Sequence, residues 1–398
     1  MTVRPLIPEE LALHCQLSSM AFHWNCKLEE ETFPENEIPL ACFDDNGGAL
    51  AELEYAVRPA TLGAEALPML CVGGVASLPH ARRKGAVRRL FQELEIMAAD
   101  QGWALGALYP FSTAYYRQFG YEMAVHALRF TIPLRELSRL PKAPEGNFEL
   151  YEGQSALTED LLALFRPFAA RHNLMMHRTD GKRFFGKPLE TCQYTYLYRD
   201  AAGRPAGYVS YDLNREQHTV FVHELVWTDA ASLAALLRFL QCYDSKAEQL
   251  CLQNLTPESP VTLLLNEFSA SRGDLAFTAS LRIYDFAAVL RARCAQSEAS
   301  GQLALRIEGD SMTQNNGLYV AEFAPGAADI SRPAETALPE ISLTREAAAR
   351  LLLSGRPMTA ETLTFCPGCR LPQTGADAAV QAFLRAFPPV PTMLWDGF

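Results

Sequence analysis

Residues 67–121 read LPMLCVGGVASLPHARRKGAVRRLFQELEIMAADQGWALGALYPFSTAYYRQFGY, and the fold is decided by how this stretch divides. Met69 to Ser77 is apolar and strand-like. A short turn follows, Leu78-Pro79-His80-Ala81, then the basic residues Arg82, Arg83 and Lys84, then Gly85. Beyond the glycine, Val87, Leu90, Phe91, Leu94 and Met97 fall at i, i+3, i+4, i+7 and i+10. That spacing puts them on one apolar face and predicts a helix to about Asp100. A helix start exposes unpaired N–H groups at the positive end of its dipole, so it attracts anions. Gly85 lets a phosphate approach the backbone, and the neighbouring basic side chains add charge. The stretch therefore reads either as a pyrophosphate cradle or as a solvated basic turn. Its continuation is a strand, Ala104 to Tyr109, then Ser112 to Tyr121, ending Tyr116-Arg117-Gln118-Phe119-Gly120-Tyr121.

The rest of the chain bounds what this stretch can serve. At 398 residues the protein is too long for one core, so two or three domains are expected. Hydrophobic residues make up 49% and charged residues 20%, the balance of a globular protein. No apolar run approaches the roughly 18–20 residues of a membrane helix, and a cytosolic location is expected. The formal net charge of −11 argues against a nucleic-acid partner and favours encounter with cationic small molecules. Ten cysteines show no regular framework. Cys366-Pro367-Gly368-Cys369 lacks the two further ligands a zinc site needs, so no metal is expected and the loop reads as two free thiols.

Before residue 67, Val3 to Leu6 is a short strand and Pro8-Glu9-Glu10 opens a helix. Leu40 to Phe43 and Ala49 to Tyr55 form a hairpin around Asp44-Asp45-Asn46-Gly47-Gly48. Leu128 to Pro133 is expected to close the first domain, and 140–147 reads as a linker. A second α/β unit follows, with a hairpin (194–213), a strand (Thr219 to Trp227) and a helix from Ser232. The order strand-turn-helix repeats, but the turn is Thr228-Asp229-Ala230-Ala231, with neither glycine nor a basic residue. An aspartate at that helix start repels phosphate, so the repeat is read as a degenerate copy that does not bind coenzyme. A third segment begins near residue 297 and ends in a proline-rich, extended tail that closes Trp395-Asp396-Gly397-Phe398. An apolar tail of this kind is expected to dock on another domain.

Arg82-Arg83-Lys84-Gly85-Ala86 resembles the pyrophosphate loop of the GNAT acetyltransferases, with Val87 where that loop has Gly or Ala. The Tyr-x-x-Phe-Gly-Tyr ending is likewise similar to the close of that fold. The whole arrangement resembles the enhanced intracellular survival (Eis-type) aminoglycoside N-acetyltransferases. What the resemblance implies is an α/β (α+β) fold in three parts: a catalytic GNAT domain (1–140), a degenerate GNAT-like domain (145–288) and a sterol-carrier-protein-like domain (289–398). It further implies acetyl-CoA as co-substrate and a homo-oligomer, a hexamer. Gly74, Val75 and Ala76 would present backbone groups to the pantetheine, and Arg82, Arg83, Lys84, Gly85 and Ala86 would hold the pyrophosphate. Tyr116 would act as general acid and the terminal carboxylate of Phe398 as general base. Phe22 and Trp24, with the Glu29–Glu37 cluster, either line the acceptor site or form an aromatic pair beside a solvated loop. Asp396 stands one position before the acidic residue that family often carries, and is taken as an acceptor contact.

Elementary acid–base chemistry bears on those roles. Tyrosine (pKa about 10) is a weak acid toward a thiolate (about 8.5), and an α-carboxylate near 3.5 is a poor base for an ammonium unless burial raises it. The carboxylate's other role is electrostatic, holding a cationic acceptor. The expected activity is acetyl transfer from acetyl-CoA to amines of polycationic acceptors such as aminoglycosides, directly and without a covalent enzyme intermediate. The alternatives are a protein or peptide lysine or polyamine acetyltransferase, or a non-enzymatic CoA- or lipid-binding protein.

Overall fold

The computed structural model describes residues 1–398 except 23–27, 29–30, 34–35, 143–144, 180–183, 187, 189–192 and 265–268. The chain divides into two compact units. One comprises 1–124, 279–389 and 397–398; the other comprises 125–278 and 390–396.

In the first unit a seven-stranded sheet runs β1 (Thr2–Pro5), β2 (Ile38–Phe43), β3 (Ala49–Leu62), β4 (Glu65–Ser77), β5 (Leu105–Leu108), β14 (Ser280–Ile283) and β6 (Glu122–Met123). The β2–β3 hairpin forms where the sequence places its turn residues. Asp44 Oδ1 accepts from the N–H groups of Asn46 (2.9 Å) and Gly48 (2.8 Å), and Gly47 supplies the left-handed φ of +81°. Helices α1 (Leu11–Phe22) and α2 (Ala86–Gln101) cover the sheet. The apolar face of α2, Leu90, Phe91 and Leu94, is buried against Leu53, Tyr55, Leu70 and Val72. It ends at Gln101, one residue beyond the expected Asp100, and Gly102 follows in the left-handed conformation.

Two irregularities of this sheet matter later. β4 and β5 pair in parallel only from Met69/Leu105 to Val72/Leu108. Immediately beyond, β4 carries an extra residue: Glu52 pairs with Ala76 but Glu54 with Gly73, a bulge at Gly74 and Val75. Gly74 adopts φ +55°, which a β-branched or bulky residue resists. The parallel strands thus part where the backbone of β4 leaves its ladder.

The second unit holds another seven-stranded sheet, in the order β13 (Arg272–Phe277), β7 (His126–Pro133), β12 (Gln249–Leu255), β11 (Thr219–Trp227), β10 (Pro205–Asn214), β9 (Tyr194–Asp200) and β8 (Gly146–Leu150). Helices α4 (Ser155–Ala169) and α5 (Ala230–Leu240) pack on it. This corrects the expected boundaries. Leu128 to Pro133 does not close the first sheet; it lies in β7 and pairs with β12 and β13. Conversely β14, assigned from sequence to the second domain, pairs with β5 and β6 in the first sheet. The sheets therefore divide the chain elsewhere than at 140 and 288. Period-two alternation identifies a strand but not its partner.

The third sheet, in the first unit, is five-stranded: β17 (Ala327–Ser331), β16 (Gly317–Ala324), β15 (Gly301–Glu308), β18 (Glu340–Thr344) and β19 (Cys369–Arg370). α6 (Arg345–Leu353) is capped by Thr344, whose side chain accepts from the Ala347 N–H. Cys366 is buried and Cys369 half-buried in the tight Gly368 turn that leads into β19, and burial pushes both thiols up, Cys369 to about 11. No described helix is long and apolar enough to cross a membrane.

Candidate active site

The turn from β4 to α2 builds the first half of the site. Leu78 to Ala81 makes a single 3-10 turn, after which Arg83 (φ +63°) and Gly85 (φ +87°) both adopt left-handed conformations. Alternating handedness of this kind turns successive N–H groups toward one side and makes an anion-binding concavity. Gly85 is the N-cap of α2, offers no side-chain cap, and no acidic residue occupies the first turn. The helix start thus keeps its positive end open. A cavity of about 760 Å³ opens there, lined by Val75, Ser77, Arg82, Arg83, Gly85, Ala86, Val87 and Arg88 on one side. Phe22, Phe111, Tyr115, Gln118 and Phe119 line the other. A Cβ on Gly85 would project into open space, so glycine is there for its φ and for free approach to the backbone.

The second half stands at the β4 bulge. A Cβ on Gly74 would lie 2.6 Å from Glu54 Oε2, and one on Gly73 would lie 2.9 Å from the carboxyl oxygen of Phe398. Two carboxyl groups therefore rest on neighbouring glycines, where any side chain on β4 would displace them. The Phe398 ring packs on Tyr109 with centroids 5.1 Å apart. Arg58 donates to the Gly397 carbonyl (3.2 Å) and to Glu37 (3.2 Å), tethering the chain end. Behind Glu54, His14 of α1 lies between two glutamates, with Nδ1 3.2 Å from Glu52 and Nε2 3.4 Å from Glu54. The hydrogen bond His14 makes to Glu52 raises the His14 pKa, while burial raises those of Glu52 and Glu54.

Tyr116 lies at the end of α3 (Thr113–Arg117), a turn started by Ser112, whose hydroxyl accepts from the Tyr115 N–H at 3.3 Å. Its ring is only 4% exposed, edge-on to Phe91, Phe111 and Tyr115, and burial pushes its hydroxyl well up. Tyr115, not Tyr116, lines the cavity.

In the second unit the equivalent helix start is closed. Asp229 caps α5, accepting from the Ser232 N–H at 2.7 Å, so its carboxylate sits where an anion would bind. β11 and β12 pair only from Thr219/Gln249 to Val222/Leu252 and then part, as β4 and β5 do. The gap holds the chain's own tail: Met393 and Trp395 fill it with Phe168 and Trp227, leaving about 10 Å³, and the Trp395 indole donates to the Asn254 carbonyl at 3.2 Å.

Comparison with known proteins decides the class. Residues 2–124 match the model of an acetyltransferase (GNAT) domain, and residues 169–283 match a second acetyltransferase (GNAT) model. The chain is an acyltransferase with two GNAT domains in tandem. Solved structures share the whole architecture at low identity. A GCN5-related N-acetyltransferase from Anabaena variabilis superposes with a TM-score of 0.83 at 18% identity, covering 100% of both chains. One from Kribbella flavida gives 0.79 at 19%, covering 100% of this chain and 98% of its own. Eis1 from Mycobacterium abscessus gives 0.79 at 18%, covering 100% of both. At such identities the likeness establishes the fold. The sequence matches no curated protein.

GNAT domains use acetyl-CoA as co-substrate, and the cavity of the first GNAT domain suits its phosphates at the uncapped start of α2. Of the residues expected there, Val75, Arg82, Arg83, Gly85 and Ala86 line it. Lys84 is exposed in the same turn but does not line the cavity, and Ala76 is buried in the core, because the bulge turns that position inward. Gly74 serves the carboxylate side. On the acceptor side Phe22 lines the coenzyme cavity, while Trp24 falls outside the described residues. Asp396 is corrected: its carboxylate is buried in the second unit and accepts from Arg178 at 2.5 Å, with Glu224 on the same guanidinium at 2.7 Å. A buried arginine requires such partners, and this one takes the aspartate from the acceptor.

Sequence reading missed Arg88, Phe111 and Tyr115 of the first GNAT domain, and the His14–Glu52–Glu54 group. The last left one signal: two acids at i and i+2 on an otherwise apolar strand, hence on one face.

Proposed function

We propose that the first GNAT domain transfers acetyl from acetyl-CoA to a primary amine of a polycationic acceptor of the aminoglycoside class, in a ternary complex. The observation that carries this reading is the pair of carboxyl groups, Glu54 and Phe398, seated on Gly74 and Gly73 at the point where β4 and β5 part. The uncapped α2 start, with Arg82, Arg83 and Arg88, holds the pyrophosphate. The bulged backbone of Gly74 and Val75 takes the pantetheine and acetyl group. The two carboxylates hold the acceptor's ammonium beside the thioester, which supplies proximity and orientation. Phe398 acts chiefly as this electrostatic anchor. Tyr116 acts as a positioned hydrogen-bond donor to the leaving sulfur. Its raised pKa makes it a poor acid in bulk terms, so its value is placement. Cys71, 1% exposed, takes no part.

Tyr115 lines the cavity and Tyr116 packs edge-on against it, with ring centroids 5.2 Å apart, so substitution can tell the two tyrosines apart. Thiol release with acetyl-CoA and a panel of aminoglycosides, polyamines and lysine peptides tests the reading. Turnover is expected to be highest on aminoglycosides. Tyr116→Phe is expected to lower kcat about a hundredfold, and Tyr115→Phe to raise the coenzyme KM instead. Turnover confined to lysine peptides would place the natural acceptor on proteins. A full loss from Tyr115→Phe with an active Tyr116→Phe would exchange the two roles.

A further inference from the structure

Acetylation of an ammonium needs a proton acceptor. The carboxylate of Phe398 is a poor one, since an ordinary α-carboxylate titrates near 3.5 against about 10 for an alkyl ammonium. The first domain contains a better-placed group. His14 has a carboxylate on each ring nitrogen: Glu52 at 3.2 Å from Nδ1 and Glu54 at 3.4 Å from Nε2. Glu52 is completely buried and also accepts from the Ser18 hydroxyl at 3.2 Å, so it meets no substrate. Glu54 is half-buried and rests on Gly74. That glycine is next to Val75 in the cavity wall and next to Gly73 beneath the Phe398 carboxyl group. One end of the chain of groups is thus at the bulge, and the other is sealed in the core.

We propose that Glu54, His14 and Glu52 form a proton relay for the acceptor amine, in which Glu54 takes the proton, His14 receives it and Glu52 holds the imidazolium. The proposal rests on the reading of this domain as an N-acetyltransferase. The acceptor R–NH3⁺ gives one proton to the Glu54 carboxylate, which passes it to His14 Nε2. The freed nitrogen lone pair forms the C–N bond to the thioester carbonyl carbon, and the C–S bond breaks with its electron pair on sulfur. The second nitrogen proton ends on that sulfur as thiol, and the relay's proton leaves to solvent. One amide, one thiol and one proton result.

A purely structural role explains the cluster poorly. Among the described residues, the buried Glu52 and the half-buried Glu54 set two carboxylates against one imidazole, where apolar side chains would be at least as stable. Burial raises the proton affinity of Glu52 and Glu54, and the hydrogen bond to Glu52 raises that of His14, as a relay working near neutral pH requires. Among the described residues, the other charged groups acting on them are Glu31 and Glu37, with Arg58 paired to Glu37. Phe33 packs against the His14 ring, with centroids 5.5 Å apart.

The test is the pH profile of kcat/KM for the wild-type protein, Glu54→Gln and His14→Gln. Two acceptors are compared: an ordinary primary amine that the wild type acetylates, and trifluoroethylamine, which is already neutral at pH 7. With the ordinary amine each variant is expected to lose about a hundredfold at pH 7, and its acidic limb to move up by about one pH unit or more. With trifluoroethylamine His14→Gln, which touches no acceptor, is expected to stay within about threefold of wild type, and acetyl-CoA affinity to hold in both variants. Should His14→Gln fail to fold, the acidic limb of Glu54→Gln decides, since loss of an ammonium anchor alone would lower the rate without moving it. An unmoved limb, or equal losses on both amines, overturns the relay while leaving acetyl transfer intact. A wild type that binds acetyl-CoA but acetylates no amine overturns the acetyltransferase reading and the relay with it.

Discussion

Gly73 and Gly74 show how much of the site rests on two absent side chains. Gly73 has an ordinary φ, so alanine there strains nothing in β4, but its Cβ would come within 2.9 Å of the Phe398 carboxyl group. Gly73→Ala is therefore expected to fold normally and bind acetyl-CoA as before, while the tail carboxyl group is pushed off the bulge. Its kcat should fall about tenfold to a hundredfold with little change in coenzyme KM, measured by thiol release. An unaltered kcat would remove the tail from the chemistry. Gly74, but not Gly73, was singled out in the sequence through the GNAT resemblance, and the reason for the pair was not visible. The groups it accommodates, Glu54 and Phe398, lie about twenty and over three hundred residues away, and no local pattern encodes such a meeting. His14 was invisible for the same cause: its partners are 38 and 40 residues further along, on a different element.

Two helices with the same place in the fold, α2 and α5, start in opposite ways. α2 has Gly85 and an open positive end; α5 has Asp229 hydrogen-bonded across its own first turn. That contrast was legible from sequence, since glycine, aspartate and basic residues each carry a fixed meaning at a helix start. It also yields a transplant. Aspartate is among the residues that tolerate the left-handed conformation of position 85 best. Gly85→Asp should thus keep α2 while placing a carboxylate where the pyrophosphate binds. Acetyl-CoA affinity is expected to drop at least about tenfold, by calorimetry, with a melting temperature changed by only a few degrees. Unchanged affinity would put the coenzyme elsewhere. Element partners, by contrast, could not be read. Leu128 to Pro133 was placed in the first domain and residues 280–283 fell within the second, yet each pairs in the other sheet, because a local pattern records burial, not pairing.

At the scale of the whole molecule, each unit is secured by a buried arginine that no sequence pattern announces. In the first, Arg282 of β14 bonds the Phe119 carbonyl and ion-pairs with Glu95 at 2.6 Å and Asp310 at 3.1 Å. In the second, Arg178 bonds Glu224 and Asp396. Removing one member of such a cluster strands the others without their counter-charge, at a cost of about 3–5 kcal/mol. Arg178→Ala should therefore lower the melting temperature by on the order of 10 °C, and a shift under about two degrees would show the cluster to be dispensable. The tandem GNAT layout itself was legible, because a strand, a turn and a helix of fixed period recur. Completion of the first sheet by a strand from residue 280 onward was not, since that pairing spans about 170 residues.

On the proposed function, the cradle at α2 and the carboxyl groups at the β4 bulge serve one reaction, acetyl transfer from acetyl-CoA to a cationic amine. Mass spectrometry of amine acceptors after incubation with acetyl-CoA, for the wild type and Gly85→Asp side by side, tests it most directly. One or more acetyl groups on an aminoglycoside or polyamine, at least about tenfold fewer with Gly85→Asp, is the predicted result. No acetylated amine with the wild type, or equal acetylation by the variant, would contradict it.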